Sequence, residues 1–214
     1  MKREFDARPS VFDDKGLYRF AWEDYVTAIP SPLIVVTTYK ENGKTNATMQ
    51  SWSTFVSEKG FFCIFASVNK KGHMYQTIAR NKQLVINFPS ADVYGKCLAT
   101  CAHNKDEDDE ITVVGLTPEK AGKVDAPLIK ECFLNLECEY VWEKEITPGS
   151  NHVVMCVRIV NIRMEEEYLT ENKKGRYGET GYLYNIHRPI NPITGEEEKD
   201  QLGIIRKFAK VDDL

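Results

Sequence analysis

Long apolar runs and basic character are both missing from this sequence. No stretch approaches the roughly 20 apolar residues that a transmembrane helix needs. The N-terminal stretch MKREFDARPSVFDDKG carries charges but lacks the apolar region of a secretory signal. The formal net charge is -4, so there is no domain-wide basic surface. We therefore expect a cytoplasmic protein that has neither a membrane nor a nucleic acid as its partner.

Cysteine is present, but not in the spacings that hold metal ions. None of the six cysteines forms a CxxC pair, so the simplest interpretation is reduced thiols that pack as small apolar side chains. A metal site at Cys97, Cys101 and His103 would lack a fourth ligand at a recognisable spacing. We therefore expect no metal.

The motifs of enzymes that work with side chains alone are also missing. There is no GxGxxG after a predicted strand, no P-loop, no GxSxG and no HExxH. The four histidines, at positions 73, 103, 152 and 187, lie far apart in the sequence. If the protein is an enzyme, a cofactor has to carry the chemistry.

What the sequence does contain is a series of short β-type segments separated by turns. Asn42-Gly43 predicts a hairpin because both positions tolerate positive φ. This pattern favours a mainly β chain with peripheral helices, arranged as an antiparallel barrel. Strands are predicted at 33–39, 45–49, 60–66, 84–88, 133–143 and 152–163. Helices are predicted at 22–28, at 70–81, at 92–103 with Asp92 as N-cap, and from Thr117 onward.

Several polar positions are expected to face solvent. The acidic run 106–110 lacks the glycine and alternating ligands of a calcium loop, which predicts a solvated loop. The strand at 133–143 alternates apolar and polar residues, so Asn135 and Glu137 are expected on an exposed face. In the second helix, Thr77 is expected opposite the apolar side.

The chain has 214 residues, enough for one large domain. We expect that domain to span residues 1–165. Residues 166–214 are polar and rich in turns, yet they contain aromatic and aliphatic residues that have to be buried somewhere. We therefore expect them to form a tail that packs on the barrel or on a dimer partner.

Residues 46–53 are small and polar where a buried strand should continue. Either this stretch is a solvated loop, or a flat polar ligand lies on it. Trp52 could equally be a core residue. The candidate ligand-binding residues in this stretch are Asn46, Thr48, Met49, Gln50, Ser51 and Trp52.

A second polar segment, 67–77, lies between a predicted strand and a predicted helix. The N-terminus of a helix offers free backbone N–H groups, and neighbouring hydroxyls and lysines favour an anion such as a phosphate. Helix capping alone would also explain Ser67 or Asn69. Both segments together suit a phosphorylated flat ring such as FMN. The candidate residues here are Ser67, Lys70, Lys71, His73 and Thr77.

From about residue 30 to 163, the chain resembles the flavin reductase-like family of FMN-binding split barrels, and most of all its flavoredoxin-type members. The matching stretches occur in the family's order. They read SPLIVVTT, NATMQSWSTFVS, FCIFAS, HMYQTIARNKQLVINFP, VVGLTPEKAGKVDAPLIKECFLNLECEY and NHVVMCVRIVNI.

The resemblance implies an antiparallel split β-barrel, a homodimer, and FMN near the subunit interface. It assigns the stretch around Asn46 to Trp52 to the flavin ring and ribityl chain. It assigns Ser67, the lysines after it and Thr77 to the ribityl and phosphate groups. It also suggests that His152 lies near the flavin or the nicotinamide. The acidic run 106–110 departs from the family pattern, so access to the site is expected to differ.

Three functions follow as hypotheses. The first is an NAD(P)H-dependent flavin oxidoreductase that passes hydride from the nicotinamide to N5 of FMN. The second is a flavoredoxin-like electron-transfer protein with tightly bound FMN and a protein redox partner, for which the acidic run would be a docking patch. The third is a barrel that only binds a ligand or a partner.

Overall fold

The computed structural model describes residues 1–17, 21–169 and 175–208. Parts of the predicted tail, residues 170–174 and 209–214, lie outside this range. The helices are α1 (Trp22–Thr27), α2 (His73–Asn81) and α3 (Ala91–Ala99). The strands are β1 (Ser31–Pro32), β2 (Ile34–Tyr39), β3 (Thr45–Gln50), β4 (Ser53–Ser57), β5 (Phe61–Asn69), β6 (Gln83–Phe88), β7 (Pro118–Lys120), β8 (Pro127–Ile129), β9 (Leu134–Glu145), β10 (His152–Met164), β11 (Tyr184–Asn185) and β12 (Leu202–Gly203).

Seven strands form one antiparallel sheet in the order β3-β2-β6-β9-β10-β5-β4. Its two edge strands, β3 and β4, follow each other in the chain and are joined by Ser51 and Trp52 alone. Because two residues connect its opposite edges, the sheet has to be strongly curved. The two edge strands nevertheless do not pair with each other. The predicted mainly β architecture with peripheral helices is confirmed.

The main core lies between this sheet and α2. Met74 and Ile78 of α2 are buried against β2, β5, β6, β9 and β10. A second apolar cluster lies on the other face of β2 and β3, where Val35 and Ala47 pack with Cys97, Ile111 and residues around them. Strand β3 is therefore covered on both faces, which explains why a polar strand can be buried.

The β2–β3 hairpin is confirmed, but its turn differs from the predicted one. Lys40 N donates to Lys44 O (2.8 Å) and Gly43 N donates to Lys40 O (3.1 Å). Of the residues in this turn, Gly43 alone has positive φ, at 79°. Asn42 instead uses its side chain, whose Oδ1 accepts from Lys44 N at 3.0 Å. This is a three-residue loop that ends in a glycine bulge.

Thr77 and Asp92 do not have the predicted roles. Thr77 is buried beside the apolar residues of α2, because its hydroxyl donates to His73 O (2.7 Å) and lies 2.7 Å from that of Thr38. Asp92 is in the first turn of α3, and Ser90 is the N-cap.

The helix predicted from Thr117 onward is wrong. Residues 118–120 form β7, which pairs with β8. Thr117 was expected to cap a helix, but its N and Oγ1 donate to the two carboxylate oxygens of Glu131, at 3.1 and 2.8 Å. A partner from a distant segment therefore replaces the local cap.

The prediction that the polar face of β9 is exposed is also wrong for the N-terminal half of the strand. Asn135 donates to Asn87 Oδ1 (2.9 Å), and Glu137 is fully buried. The segment that leads to β8 covers this face, since Gly122 N and Lys123 N donate to the Glu137 carboxylate. The polar half of the alternation therefore meets another segment instead of water.

The chain divides into two compact units. The larger contains residues 32–183 and 204–214, and the smaller contains residues 1–31 and 184–203. In the smaller unit, Ile190 N donates to Tyr25 O (2.9 Å), and His187 and Arg188 both have positive φ. The predicted division into 1–165 and 166–214 stays a prediction.

Candidate functional site

The side chains of β3 alternate between two environments. Asn46, Thr48 and Gln50 lie on the side of α2, where Asn46 Nδ2 is 3.4 Å from Thr38 Oγ1 and Gln50 Nε2 is 3.5 Å from Met74 Sδ. Asn46 is fully buried, and its Oδ1 has no hydrogen-bond partner among the described residues. The polar residues of β3 therefore fill an interior position, and only the end of the strand is accessible.

Strand β3 leads directly into the crossing to β4. Ser51 and Trp52 are half-buried, and Trp52 O accepts from Ala66 N at 2.8 Å. At that point the β5–β10 ladder has a bulge, because Ala66 and Ser67 both fall opposite the stretch between Val153 and Met155. Bulges of this kind often re-aim side chains next to functional sites.

The N-terminus of α2 follows this bulge. Its N-cap is Gly72, which has no side chain to accept from the first-turn N–H groups. Asn69 organises the approach, since its Oδ1 accepts from Lys71 N and its backbone O accepts from Gly72 N, both at 3.0 Å. The helix therefore presents backbone donors and the positive end of its dipole.

A cleft of about 220 Å³, which we call the edge cleft, lies between the end of β3 and this helix N-terminus. The lining residues supply amides, hydroxyls and thioethers. They are Ala47, Thr48, Met49, Gln50, Val68, Asn69, Gly72, His73, Met74, Thr100, Cys101, Asn104 and Glu110.

The edge cleft brings together part of the predicted set. Of the candidates, Thr48, Met49, Gln50 and His73 line it. His152 pairs with Asn69 in the β5–β10 ladder and so lies beside the same loop. The remaining candidates, Asn46, Ser51, Trp52, Ser67, Lys70, Lys71 and Thr77, are close in the chain but do not line the cleft.

The two predicted lysines differ in their surroundings. Lys70 Nζ contacts Glu145 Oε1, and this ammonium together with Gly149 N lowers the pKa of Glu145. Lys71 is exposed, and its side chain forms no ion pair with a described residue. Of the pair, Lys71 is the one that is available to an anion.

The acidic run was predicted to be a solvated loop, and this prediction is wrong at its C-terminal end. Glu110 is 1% exposed and Lys40 is 6% exposed. Glu110 Oε1 lies 2.8 Å from Lys40 Nζ, in an orientation outside hydrogen-bond geometry, so we treat the pair as electrostatic. The sequence contains one indication of this burial, because the apolar residue Ile111 directly follows the acidic run. In the structure Ile111 is fully buried.

His73 lies between two carboxylates of this segment. Its Nε2 is 3.3 Å from Asp106 Oδ1, and its Nδ1 is 3.7 Å from Glu110 Oε1. A second cleft of about 440 Å³ opens on the other side of His73, between the β2–β3 hairpin and α2. The carboxylates weaken the case for the His73 side chain as a phosphate ligand, because they oppose a further anion at its ring nitrogens.

The cysteines follow the prediction with one exception. All six are free, and five are buried, whereas Cys101 is exposed and lines the edge cleft.

Among the described residues, no three His, Cys, Asp or Glu side chains are arranged to hold a metal ion. In the same part of the chain, no helix is long and apolar enough to cross a membrane.

The fold matches solved structures of split barrels. A protein with a split barrel domain from Shewanella frigidimarina NCIMB 400 has a TM-score of 0.73 at 15% identity, covering 94% of each chain. The flavoredoxin of Desulfovibrio vulgaris (Miyazaki F) has a TM-score of 0.67 at 20% identity, covering 99% of this chain and 97% of that one. The predicted antiparallel split β-barrel is thereby confirmed.

Residues 26–184 match the model of the flavin reductase like domain, and the chain belongs to this family. The resemblance stated from the sequence is thus confirmed. A relative from Aquifex aeolicus (strain VF5), described as an uncharacterized protein, is 27% identical over 172 residues, covering 78% of this chain and 83% of that protein. The family implies a flavin as the bound group.

Proposed function

We propose that the protein binds FMN in the edge cleft and acts as an NAD(P)H-dependent flavin oxidoreductase. One observation carries the proposal. The accessible end of β3 and the uncapped N-terminus of α2 face the same cleft. The first suits a flat ring with hydrogen-bonding edges, and the second suits a phosphate.

The residues of the cleft fit such a ligand in their chemistry. The hydroxyl of Thr48 and the amides of Gln50 and Asn69 can donate or accept, as the polar edge of a flavin requires. Met49 and Met74 offer apolar, polarisable surface that suits a ring face. These residues would hold the ring.

The phosphate would be held at the start of α2. The backbone N–H groups after Gly72 supply directed donors, and exposed Lys71 supplies a positive charge. Lys70 is already paired with Glu145 and contributes less. The charge at this site therefore comes mainly from the helix terminus and from one lysine.

A bound flavin supplies the ability to accept hydride from a reduced nicotinamide. The chain contributes binding, orientation and exclusion of water, which do not require an acid or a base. His152, next to Asn69 in the ladder, is the residue we propose to lie near the reductant. The homodimer implied by the resemblance stays a prediction, which light scattering of the purified protein would test.

The first test is an absorbance spectrum of the purified protein before and after anaerobic NADH or NADPH. We expect the visible bands of an oxidised flavin, and we expect them to bleach with the reductant. Chromatography of the released cofactor would separate FMN from FAD. Protein that is colourless and stays so after added FMN and FAD are removed would overturn the proposal and favour the ligand-binding alternative.

A charge reversal tests the position of the phosphate. Lys71→Glu should weaken FMN binding about tenfold, because the change replaces an attraction by a repulsion. Riboflavin, which lacks the phosphate, should bind the variant as it binds the wild type. Lys120→Glu, at an exposed position of β7, is the matched control. Equal losses for FMN and riboflavin would contradict the assignment.

One observation favours a second function, a flavoredoxin-like electron carrier. The Asp106 side chain is 86% exposed and lies in the second cleft beside His73, a residue that lines both clefts. Exposed carboxylates at such a position can steer a basic redox protein. A carrier would retain FMN but oxidise both NADH and NADPH negligibly, so brisk turnover would exclude it.

A further inference from the structure

The segment 105–111 is attached to the free edge of β3 by several hydrogen bonds. Glu110 N donates to Thr45 O (3.2 Å), and Ala47 N donates to Glu110 Oε2 (2.8 Å). Ile111 N donates to Thr45 Oγ1 (3.1 Å), which itself donates to Asp109 Oδ1 (2.5 Å). Instead of another strand, a loop satisfies the edge groups of β3 at Thr45 and Ala47.

Lys40, which directly follows β2, binds the same segment through its side chain. Its Nζ donates to Lys105 O (2.6 Å) and Asp108 O (2.9 Å) and lies 2.8 Å from Glu110 Oε1. The side chains of Lys40 and Glu110 are 5% and 2% exposed. We call Lys40 and Glu110, with the contacts just described, the edge clamp.

The edge clamp ends where the edge cleft begins. Glu110 binds the backbone of Ala47 and also lines the cleft, and the next three residues of β3, Thr48 to Gln50, form the cleft wall. A slip of one residue in β3 would move its side chains to the opposite face. Pairing with β2 along its whole length sets the register of β3, and the attachment at Ala47 ties down its other edge next to the cleft wall.

We infer that Lys40 and Glu110 are positioning residues for the cofactor, an inference that rests on the proposed function. They hold the first half of β3, from Thr45 to Ala47, in the one arrangement that presents Thr48 to Gln50 to the ligand. If a variant populates that arrangement one tenth of the time, its apparent dissociation constant for FMN rises about tenfold.

Glu110→Gln provides the sharpest test, because an amide has one acceptor oxygen where the carboxylate has two. The amide cannot accept from Ala47 N and also face Lys40 Nζ with an acceptor. We expect the FMN dissociation constant, from fluorescence titration of the full-length apoprotein, to rise about tenfold or more. Hydrogen exchange at the Ala47 amide of the apoprotein should become faster.

The double variant Lys40→Met/Glu110→Gln removes the ammonium that has lost its counter-ion and leaves the amide oxygen free to accept from Ala47 N, but it also loses the bonds from Lys40 Nζ to Lys105 O and Asp108 O. We expect it to recover the Ala47 protection and part of the FMN affinity. This rescue also keeps the test usable if Glu110→Gln alone fails to fold. Glu139→Gln, which breaks an exposed ion pair with Arg158 on β10, is the matched control and should leave both readouts unchanged.

Two outcomes would overturn the inference. One is unchanged FMN affinity and unchanged Ala47 exchange in Glu110→Gln. The other is a double variant as impaired as the single one, which would mean that the pair does not act through Ala47. If wild-type protein does not bind FMN, the proposed function fails, whereas unaltered Ala47 exchange in the variant would show that the clamp itself is absent.

Discussion

Glu110 and Glu137 are two buried carboxylates with different surroundings. Both were expected at solvent-facing positions, and they are 1% and 0% exposed. Glu137 accepts from Gly122 N (3.0 Å), Lys123 N (2.5 Å) and Asn161 Nδ2 (2.8 Å). Glu110 accepts from one backbone N–H, and its other oxygen faces Lys40 without forming a hydrogen bond.

The difference separates a carboxylate that joins two segments from one that lines the edge cleft. Glu137 has directed donors on both oxygens and pins the segment 121–124 to β9. Glu110 lines the edge cleft and depends on a single buried cation for its charge balance. An incompletely satisfied buried group is therefore the better indicator of a site than burial by itself.

The largest effect on stability is expected for a substitution of Lys40, the buried cation that faces Glu110. Lys40→Met leaves the Glu110 carboxylate buried without a compensating charge, which should lower the free energy of unfolding by about 3–5 kcal/mol. Urea denaturation of the apoprotein measures it. Lys130→Met, at a side chain that is 63% exposed, is the control and should change stability by less than about 1 kcal/mol. Equal effects of the two changes would mean that the buried pair contributes nothing.

A smaller effect is expected at Glu137. Glu137→Gln keeps the shape but replaces one accepting oxygen by a donor that faces backbone N–H groups, at a cost of about 2 kcal/mol. FMN affinity should stay unchanged, because Glu137 is not part of the edge cleft. A Glu137→Gln variant that loses FMN affinity as strongly as Glu110→Gln would show that the two carboxylates do not differ in their role.

The pH dependence of stability should show how much the charge of Glu137 contributes. Burial alone would raise the pKa of Glu137, but hydrogen bonds from Gly122, Asn161, Lys123 and Val124 outweigh it, and the pKa is lowered. The folded-state pKa thus lies below the unfolded-state value. The stabilisation is complete above the unfolded pKa and is lost as the pH falls through the folded pKa.

Stability curves at a series of acidic pH values would measure this contribution. We expect the difference in unfolding free energy between wild type and Glu137→Gln to shrink as the pH falls. A difference that stays constant across the acidic range would show that the charge of Glu137 is not what stabilises the segment.

The smallest effect is expected at an exposed pair. Arg158 Nη2 lies 2.7 Å from Glu139 Oε2, and the two side chains are 53% and 39% exposed. Arg158→Ala should cost at most about 1 kcal/mol in urea denaturation, and less at high salt. A loss as large as that of Lys40→Met would show that burial is not what makes the edge clamp strong.

Much of the barrel could be predicted from local patterns. The β-branched run at 33–39 and the glycine at position 43 predict β2 and its hairpin, and β5, β6 and β10 follow in the same way. Strand β4 was not predicted, because its residues, STFVS, continue a polar stretch and gain strand structure only by pairing with β5. Local propensity is weak wherever the pairing partner decides.

The candidate site was predicted less completely than the fold. Thr48, Met49 and Gln50 were selected because they belong to a small, polar stretch, and His73 because it belongs to the segment between a strand and a helix; all four line the edge cleft. Asn104, Cys101 and Glu110 were not selected as ligand-lining residues, because no local pattern marks them. They reach the cleft only because the segment after α3 folds back onto β3.

Local sequence patterns suffice to predict the six strands β2, β3, β5, β6, β9 and β10, the β2–β3 hairpin and the family, because alternation, glycine conformational freedom and motif order can be read within short segments. Which charges are buried depends instead on how distant segments pack together. Whether a carboxylate meets water or a lysine depends on a segment that lies far away in the chain, as Glu110 meets Lys40 and Glu137 meets the amides of residues 122–124. Burying a charge is unfavourable unless such a partner is present. A short stretch of sequence therefore does not indicate whether its charged residues are buried.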